Sequence, residues 1–161
     1  METFENLTKD IISNKDFNKL KNDLHHGITR YDHSYRVAKW TYKICKLFSM
    51  RNGEKTTRAA LLHDFYTNGD LEGLSSVKKL GAHPNVALNN ALKYYDLDYL
   101  EQDIIKSHMF PCNLTIPKYK ESFLVSMVDK TVATYEMIRF KAPLYLGIYT
   151  IFLFELIKLH K

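Results

Sequence analysis

Cysteine is almost missing from this 161-residue chain: only Cys45 and Cys112 occur, with no Cys-x-x-Cys pair. That excludes a disulfide framework and fits a reducing, cytoplasmic setting, with both thiols as packing residues. No Gly-x-Ser-x-Gly, P-loop or His-Glu-x-x-His is present, so the usual signatures of a serine hydrolase, a P-loop nucleotidase and a zincin protease are lacking. No run of alternating apolar residues reads as a strand, and there is no internal repeat or low-complexity segment. The amino terminus, METFENLTKD, is polar and acidic, unlike a secretory signal. Uncharged stretches are short as well. The most apolar, Ala142–Phe154, is followed by Glu155 and Lys158, whereas a membrane-spanning helix needs about 20 apolar residues. This segment reads as a terminal helix docked on the core, or as a helix lying on a membrane surface.

What is present is enough for one domain. The chain is 45% hydrophobic and can bury a core without staples. Its formal charge of +5 favours anionic partners, but the basic residues are scattered, so no specific nucleic-acid interface is expected. The apolar periodicity is helical nearly throughout. It predicts helices over residues 5–23 (with a turn near Asn14 and Lys15), Tyr31–Met50, Lys55–Tyr66, Ser75–Leu80, Pro84–Tyr95, Tyr99–His108 and Lys118–Phe140. Asn52-Gly53 reads as a helix end, Pro84 as a first-turn residue, Asp98 as an N-cap, and Pro143 as a break before the terminal helix. The expectation is an all-α, bundle-like domain over residues 1–140, with a hydrophobic helix over 141–161.

Six polar residues stand out against that pattern. His33 precedes Val37 by four and Trp40 by seven, on the inward stripe of its helix. His63 follows Ala59 and Ala60 by four and three, with Asp64 beside it. His108 follows Ile104 and Ile105 by the same spacings. Asp129 follows Val125 by four and precedes Val132 by three. His83 sits just ahead of a predicted helix start, where periodicity does not orient it. A lone core histidine is usually a hydrogen-bonded packing residue, and a lone aspartate is often a cap or an ion-pair partner. Together they form a set that packing explains poorly, because an inward aspartate is costly unless paired or bound to a cation. Imidazole and carboxylate are ligands that Mn, Fe, Co, Ni and Zn accept. His25-His26 and His160 read as surface or loop residues.

The ordered pattern H…HD…H…H…D is carried by YDHSYRVAKW, AALLHDFY, LGAHPNVALNNA, DIIKSHMF and LVSMVDKTVATYE. It resembles the HD-domain superfamily of metal-dependent phosphohydrolases over about residues 31–136. The likeness is to the small single-domain bacterial type, which includes enzymes that cleave dinucleoside polyphosphates. The GYP signature of the cyclic-di-GMP branch is absent. The resemblance implies that His33, His63, Asp64 and Asp129 hold a first divalent cation. Asp64 would bridge to a second held by His83 and His108, with Mn or Fe favoured. It implies hydrolysis of a nucleotide or another small phosphate ester by a metal-activated water, without a serine or cysteine nucleophile.

For phosphate contacts, Arg36 comes first, three residues after His33 on nearly the same face, and Lys130 second; both are expected at the reacting phosphate with Asp64. Lys106, two residues before His108, ranks lower. Glu136, seven past Asp129, is placed behind the ligands. The chain departs from many relatives in having no lysine shortly after His63-Asp64, where Phe65, Tyr66, Thr67 and Asn68 stand. Tyr66–Lys79 is the expected specificity loop. Two other functions stay open on these residues: a mixed-valent di-iron oxygenase using the same ligands, or a non-catalytic binding module. The latter could be attached peripherally to a membrane through Ala142–Lys161.

Overall fold

The computed structural model describes the backbone of residues 1–25 and 27–159, and the side chains of residues 1–24 and 27–139. The fold is all-α. Among the described residues seven α-helices follow one another: α1 (Phe4–Ser13), α2 (Lys15–Asn18), α3 (Arg30–Leu47), α4 (Gly53–Leu62), α5 (Ser76–Leu92), α6 (Tyr99–Ser107) and α7 (Lys120–Leu159). The only strands among the described residues are a two-residue pair, β1 (Leu24–His25) and β2 (Ile28–Thr29), antiparallel with Leu24 opposite Thr29. Gly27, at φ 93°, makes the turn between them.

α4 is the central helix, touching α1, α3, α5, α6 and α7. Its sequence explains this. Gly53, Thr56, Thr57, Ala59, Ala60, Leu61 and Leu62 are all buried, and small residues around the helix let neighbours approach closely. The two threonine hydroxyls donate to the carbonyls of Asn52 and Gly53, one turn back, at 2.8 and 2.7 Å, so their burial leaves no unpaired hydroxyl. A Cβ on Gly53 would stand 3.0 Å from that of Cys45; the α3–α4 corner needs glycine there. Around α4, Ile11, Phe17, Leu20, Val37, Ile104, Ile105 and Val125 complete a core with no exposed surface. Arg58 ties α1 to α4, donating from both terminal nitrogens to Asp10 at 2.7 Å and to the Leu7 carbonyl.

Several boundaries differ from the sequence expectation. α3 ends at Leu47. Met50 N–H donates to the Cys45 carbonyl at 2.9 Å and Ser49 N–H to that of Lys46 at 3.2 Å, with Ser49 at φ 47°. This is a Schellman closure built on serine instead of glycine, so Asn52-Gly53 starts the next helix and does not end this one. The turn expected near Asn14 is present, with Asn14 capping α2, its side-chain oxygen accepting from the amides of Asp16 and Phe17. α5 runs unbroken through Gly81 and Pro84. Proline removes one N–H and disfavours the turn before it, but the helix recovers through its buried face of His83, Ala87 and Ala91. α7 likewise passes Pro143 without ending. Trp40, expected inward, is half exposed. It lines a groove of about 660 Å³ between α3 and α7 with Ile44, Met127 and Tyr135.

The terminal helix's docking, and the surface placement of His25, His26 and His160, lie outside the described residues. Among the described residues no helix is long and apolar enough to cross a membrane.

The Asp98 cap is present as expected. Its carboxylate accepts from Glu101 N–H at 2.9 Å while Glu101 accepts from Asp98 N–H at 3.0 Å. Asp98→Ala is expected to lower stability by about 1 kcal/mol, read as a shift of the urea midpoint at constant slope.

Candidate metal centre

The six residues singled out from the sequence converge in one place, brought there by helix ends. α4 finishes at Leu62 and α6 at Ser107, so the C-caps are His63 and His108. The last carbonyls of a helix have no amide partner. In both helices the ring Nδ1 of the C-cap histidine bonds the carbonyl three residues back: His63 to Ala60 and His108 to Ile105, each at 2.7 Å. His83, inside α5, uses the Lys79 carbonyl at 3.0 Å. A carbonyl can only accept, so each of these Nδ1 atoms carries a proton and each ring turns its Nε2 inward, as a bare lone pair wherever the ring is neutral.

These lone pairs meet one another and a carboxylate. His83 Nε2 and His108 Nε2 lie 3.1 Å apart. With both protons already on Nδ1, no hydrogen bond joins the two neutral rings. Each Nε2 is 3.6 Å from Asp64 Oδ1. His63 Nε2 is 3.8 Å from Asp64 Oδ2 and 3.5 Å from Asp129 Oδ1. His63 Nε2 and Asp64 Oδ1 are buried without a hydrogen-bond partner. Three overlapping groups have ligand atoms within 4.8 Å of one another: His33, His63 and Asp64; His63, His108 and Asp129; Asp64, His83 and His108. Buried lone pairs converging without protons are the arrangement a cation satisfies, and the N/O donor set fits a divalent transition metal.

His33 differs from the other three histidines. Thr29 caps α3, its hydroxyl oxygen accepting from Asp32 N–H at 3.0 Å, which sets His33 in the first turns facing α7. Its Nε2 lies 2.9 Å from Asp129 Oδ1 and its Nδ1 2.8 Å from Glu136 Oε2. Burial favours the neutral ring, but the two carboxylates outweigh it and raise the His33 pKa to about 10. Asp64 shows the converse balance. Burial pushes it toward the neutral acid; positive charge on His63, His83 and His108 when they are protonated, and the fixed charge of Arg30, pull it below the usual range. Asp129 is also depressed: burial opposes ionisation, while His33 and His63 overcome it. Burial lowers His108 to about 3 and lowers His83 as well.

The ligand cluster opens into a cavity of about 360 Å³ whose walls include Arg30, Tyr66, Lys79, Met109, Cys112 and Lys130. Lys130 is in it, as the sequence reading expected, with its ammonium donating to the carbonyls of His108 and Ser126 and to the Ser126 hydroxyl. Arg36 is not among the lining residues. It pairs with Glu136, the carboxylate behind His33, and lines the α3–α7 groove. Lys106 is exposed and also outside the cavity. Glu136 stands behind His33, its carboxylate on the Nδ1 side of the ring.

Sequence reasoning missed Arg30, which is 2% exposed. Its guanidinium stacks 3.8 Å above the Tyr66 ring and lies 3.7 Å from Asp64. It donates to the Tyr66 hydroxyl at 2.5 Å and to Asn68 Oδ1 at 3.2 Å, and pairs with Asp23 at 3.5 Å. Asp23 in turn accepts from Asn68 N–H at 2.7 Å. The available signal was spacing: Arg30 precedes His33 by three and shares its face. Nothing in the sequence marked Asp23. Comparison with models of protein families, with curated proteins and with solved structures finds no match for this chain.

Two expectations follow. Glu136→Gln should weaken metal binding roughly 10- to 100-fold while leaving the fold intact, measured by metal titration with circular dichroism as the control. In chelator-treated protein, His108 and His83 stay neutral when folded but protonate near 6.5 when unfolded. The contribution of these two rings is therefore full above pH 6.5 and falls as pH drops from there, by up to about 1.4 kcal/mol per unit for each ring while it stays neutral in the fold. That of His33 is full below pH 6.5 and is lost as pH rises toward about 10. Thermal melts between pH 7.5 and 5 check this; a flat profile would show that these rings already bind protons in the fold.

Proposed function

We propose that this protein is a metal-dependent phosphohydrolase of the HD type, acting through a dinuclear site on a nucleotide or another small phosphate ester. The observation that carries the reading is the 3.1 Å approach of the two Nε2 atoms of His83 and His108, both with Nδ1 on a carbonyl, beside the Asp64 carboxylate. His33, His63, Asp64 and Asp129 would hold one divalent cation, and His83, His108 and Asp64 the other. Bound there, the cations would supply a nucleophile from water near neutral pH and neutralise charge on phosphoryl oxygens.

The chain's own residues supply the rest. Asp64, whose carboxyl is held below the usual range, stands between the two ligand groups, where one carboxylate oxygen can serve each. The Nδ1 hydrogen bonds of His63, His83 and His108 fix ring orientation before any ligand arrives. Arg30, anchored by Asp23, Tyr66 and Asn68, keeps a positive charge beside Asp64 that opposes deep entry of further cations and favours an anionic substrate. Lys130 stands at the cavity wall, its ammonium held on the last turn of α6.

Protein purified without chelator should carry about two metals per chain. With Mn or Fe(II) it should release phosphate from members of a nucleotide and phosphate-ester panel, and Asp64→Asn should reduce release to the metal-free background. Two irons with oxygen uptake and no phosphate release would instead establish the oxygenase. Less than one metal under every loading condition would leave a binding module.

A further inference from the structure

We propose that Lys79 forms a second anion subsite in the cavity, so that the site selects substrates bearing a second phosphate next to the scissile one over simple monoesters. This rests on the hydrolase reading above and narrows its substrate class to phosphoanhydrides.

Three cations line the cavity: Arg30, Lys79 and Lys130. Two have protein acceptors. Arg30 is held by Asp23, Tyr66, Asn68 and Asp64, and Lys130 by the His108 and Ser126 carbonyls and the Ser126 hydroxyl. Lys79 is half-buried on the wall, and among the described residues its ammonium has no hydrogen-bond or ion-pair partner. An ammonium offers three rotatable donors and a full point charge. In this cavity it is the cation whose donors are open to a ligand.

Its position gives the substrate geometry. Ser76, Lys79, Leu80 and His83 line one wall, and their spacings of three, one and three place them on one face of α5. Lys79 precedes His83 by four residues, so its Cα lies one turn, about 6 Å, back along the axis. Helical side chains lean toward the amino terminus, which carries the ammonium further from the ligand cluster and along the cavity. A phosphoryl group held among the histidines and Asp64 therefore leaves Lys79 to meet the next anionic group of the same molecule. Ser76 stands on the same wall at the first turn of α5, where the N-cap Ser75 makes no side-chain hydrogen bond. This chain has no lysine shortly after His63-Asp64, where the resemblance led one to be expected, and Lys79 supplies a cation from a different helix.

The test compares pyrophosphate and orthophosphate binding to Mn-loaded wild type, Lys79→Gln, Lys79→Arg and Lys78→Gln by titration calorimetry. Lys78 is the exposed neighbour on α5 and lies outside the cavity. Lys79→Gln should weaken pyrophosphate about tenfold or more, as expected for a lost charge-assisted contact. Orthophosphate affinity, metal content and helicity should hold. Lys79→Arg should retain most of the pyrophosphate affinity, and Lys78→Gln should match wild type. In turnover, Lys79→Gln should raise KM for a nucleoside diphosphate more than for an aryl phosphate. Equal pyrophosphate affinity in wild type and Lys79→Gln, or equal loss for both anions, would overturn the subsite and leave the hydrolase reading standing. A metal-loaded wild type that binds neither anion would overturn both.

Discussion

A buried carboxylate kept ionised is the constraint on which this structure turns. Asp64 is 5% exposed, a setting that by itself would make it a neutral acid. Around it stands a shell of three imidazoles, which support the charge only when protonated, and one guanidinium, which always does, drawn from four separate elements: α3, α5, and the ends of α4 and α6. α4 must therefore stop at Leu62, α6 must stop at Ser107, and α3 must begin at Arg30. The same helix ends set the sign of the field. Two helix C-termini converge here, and the negative ends of their dipoles favour cations beside them. Four bare or shared Nε2 atoms and two carboxylates then concentrate acceptors in a small volume with few protons to pair them.

That shell shows which parts of the site a sequence can reveal. His63 and His108 were legible because each follows an apolar pair by three and four residues, and the helix that positions it is short and regular. Asp129 was legible because it interrupts a valine stripe. His83 carried no phase, since proline at position 84 reads as a helix start. Only the continuous α5 turns His83 inward, because the buried face shared with Ala87 and Ala91 stabilises the helix more than one missing N–H weakens it. Arg36 and Arg30 show the limit most clearly. They sit three residues either side of His33, both near its face, and periodicity does not separate them. The difference is tertiary: Glu136 on α7 captures Arg36 on the outer side of His33, while Tyr66 and Asp23 capture Arg30 on the inner side.

The helix endings teach a related point. Ser49 closes α3 in the left-handed region where glycine would be ordinary, while the nearby Gly53 serves a different end: a Cβ there would stand only 3.0 Å from that of Cys45. A reading that assigns the glycine to the turn misplaces the boundary by several residues. Close packing of α3 against α4 fixes both choices at once: the corner is tight, so the glycine belongs where the helices touch. All-α architecture was legible because it depends on the sum of the pattern. Individual boundaries depend on contacts that periodicity does not encode.

The support behind each ligand also makes the two halves of the site unequal. His63, His83 and His108 lean on neutral carbonyls, whereas His33 leans on Glu136, an anion itself held by Arg36. An imidazole whose Nδ1 proton faces a carboxylate has a more electron-rich Nε2 and is the stronger donor. The group of His33, His63, Asp64 and Asp129 also has two carboxylates, against the single shared carboxylate of the group of His83 and His108. By charge and donor strength a cation would bind more tightly at the first group, and occupancy of the second would follow metal supply and substrate. Lys79 stands on the same helix as His83, one turn away. An anion that engages Lys79 would add its own oxygens on the side of the site with fewer carboxylates, which couples substrate binding to completion of the weaker position.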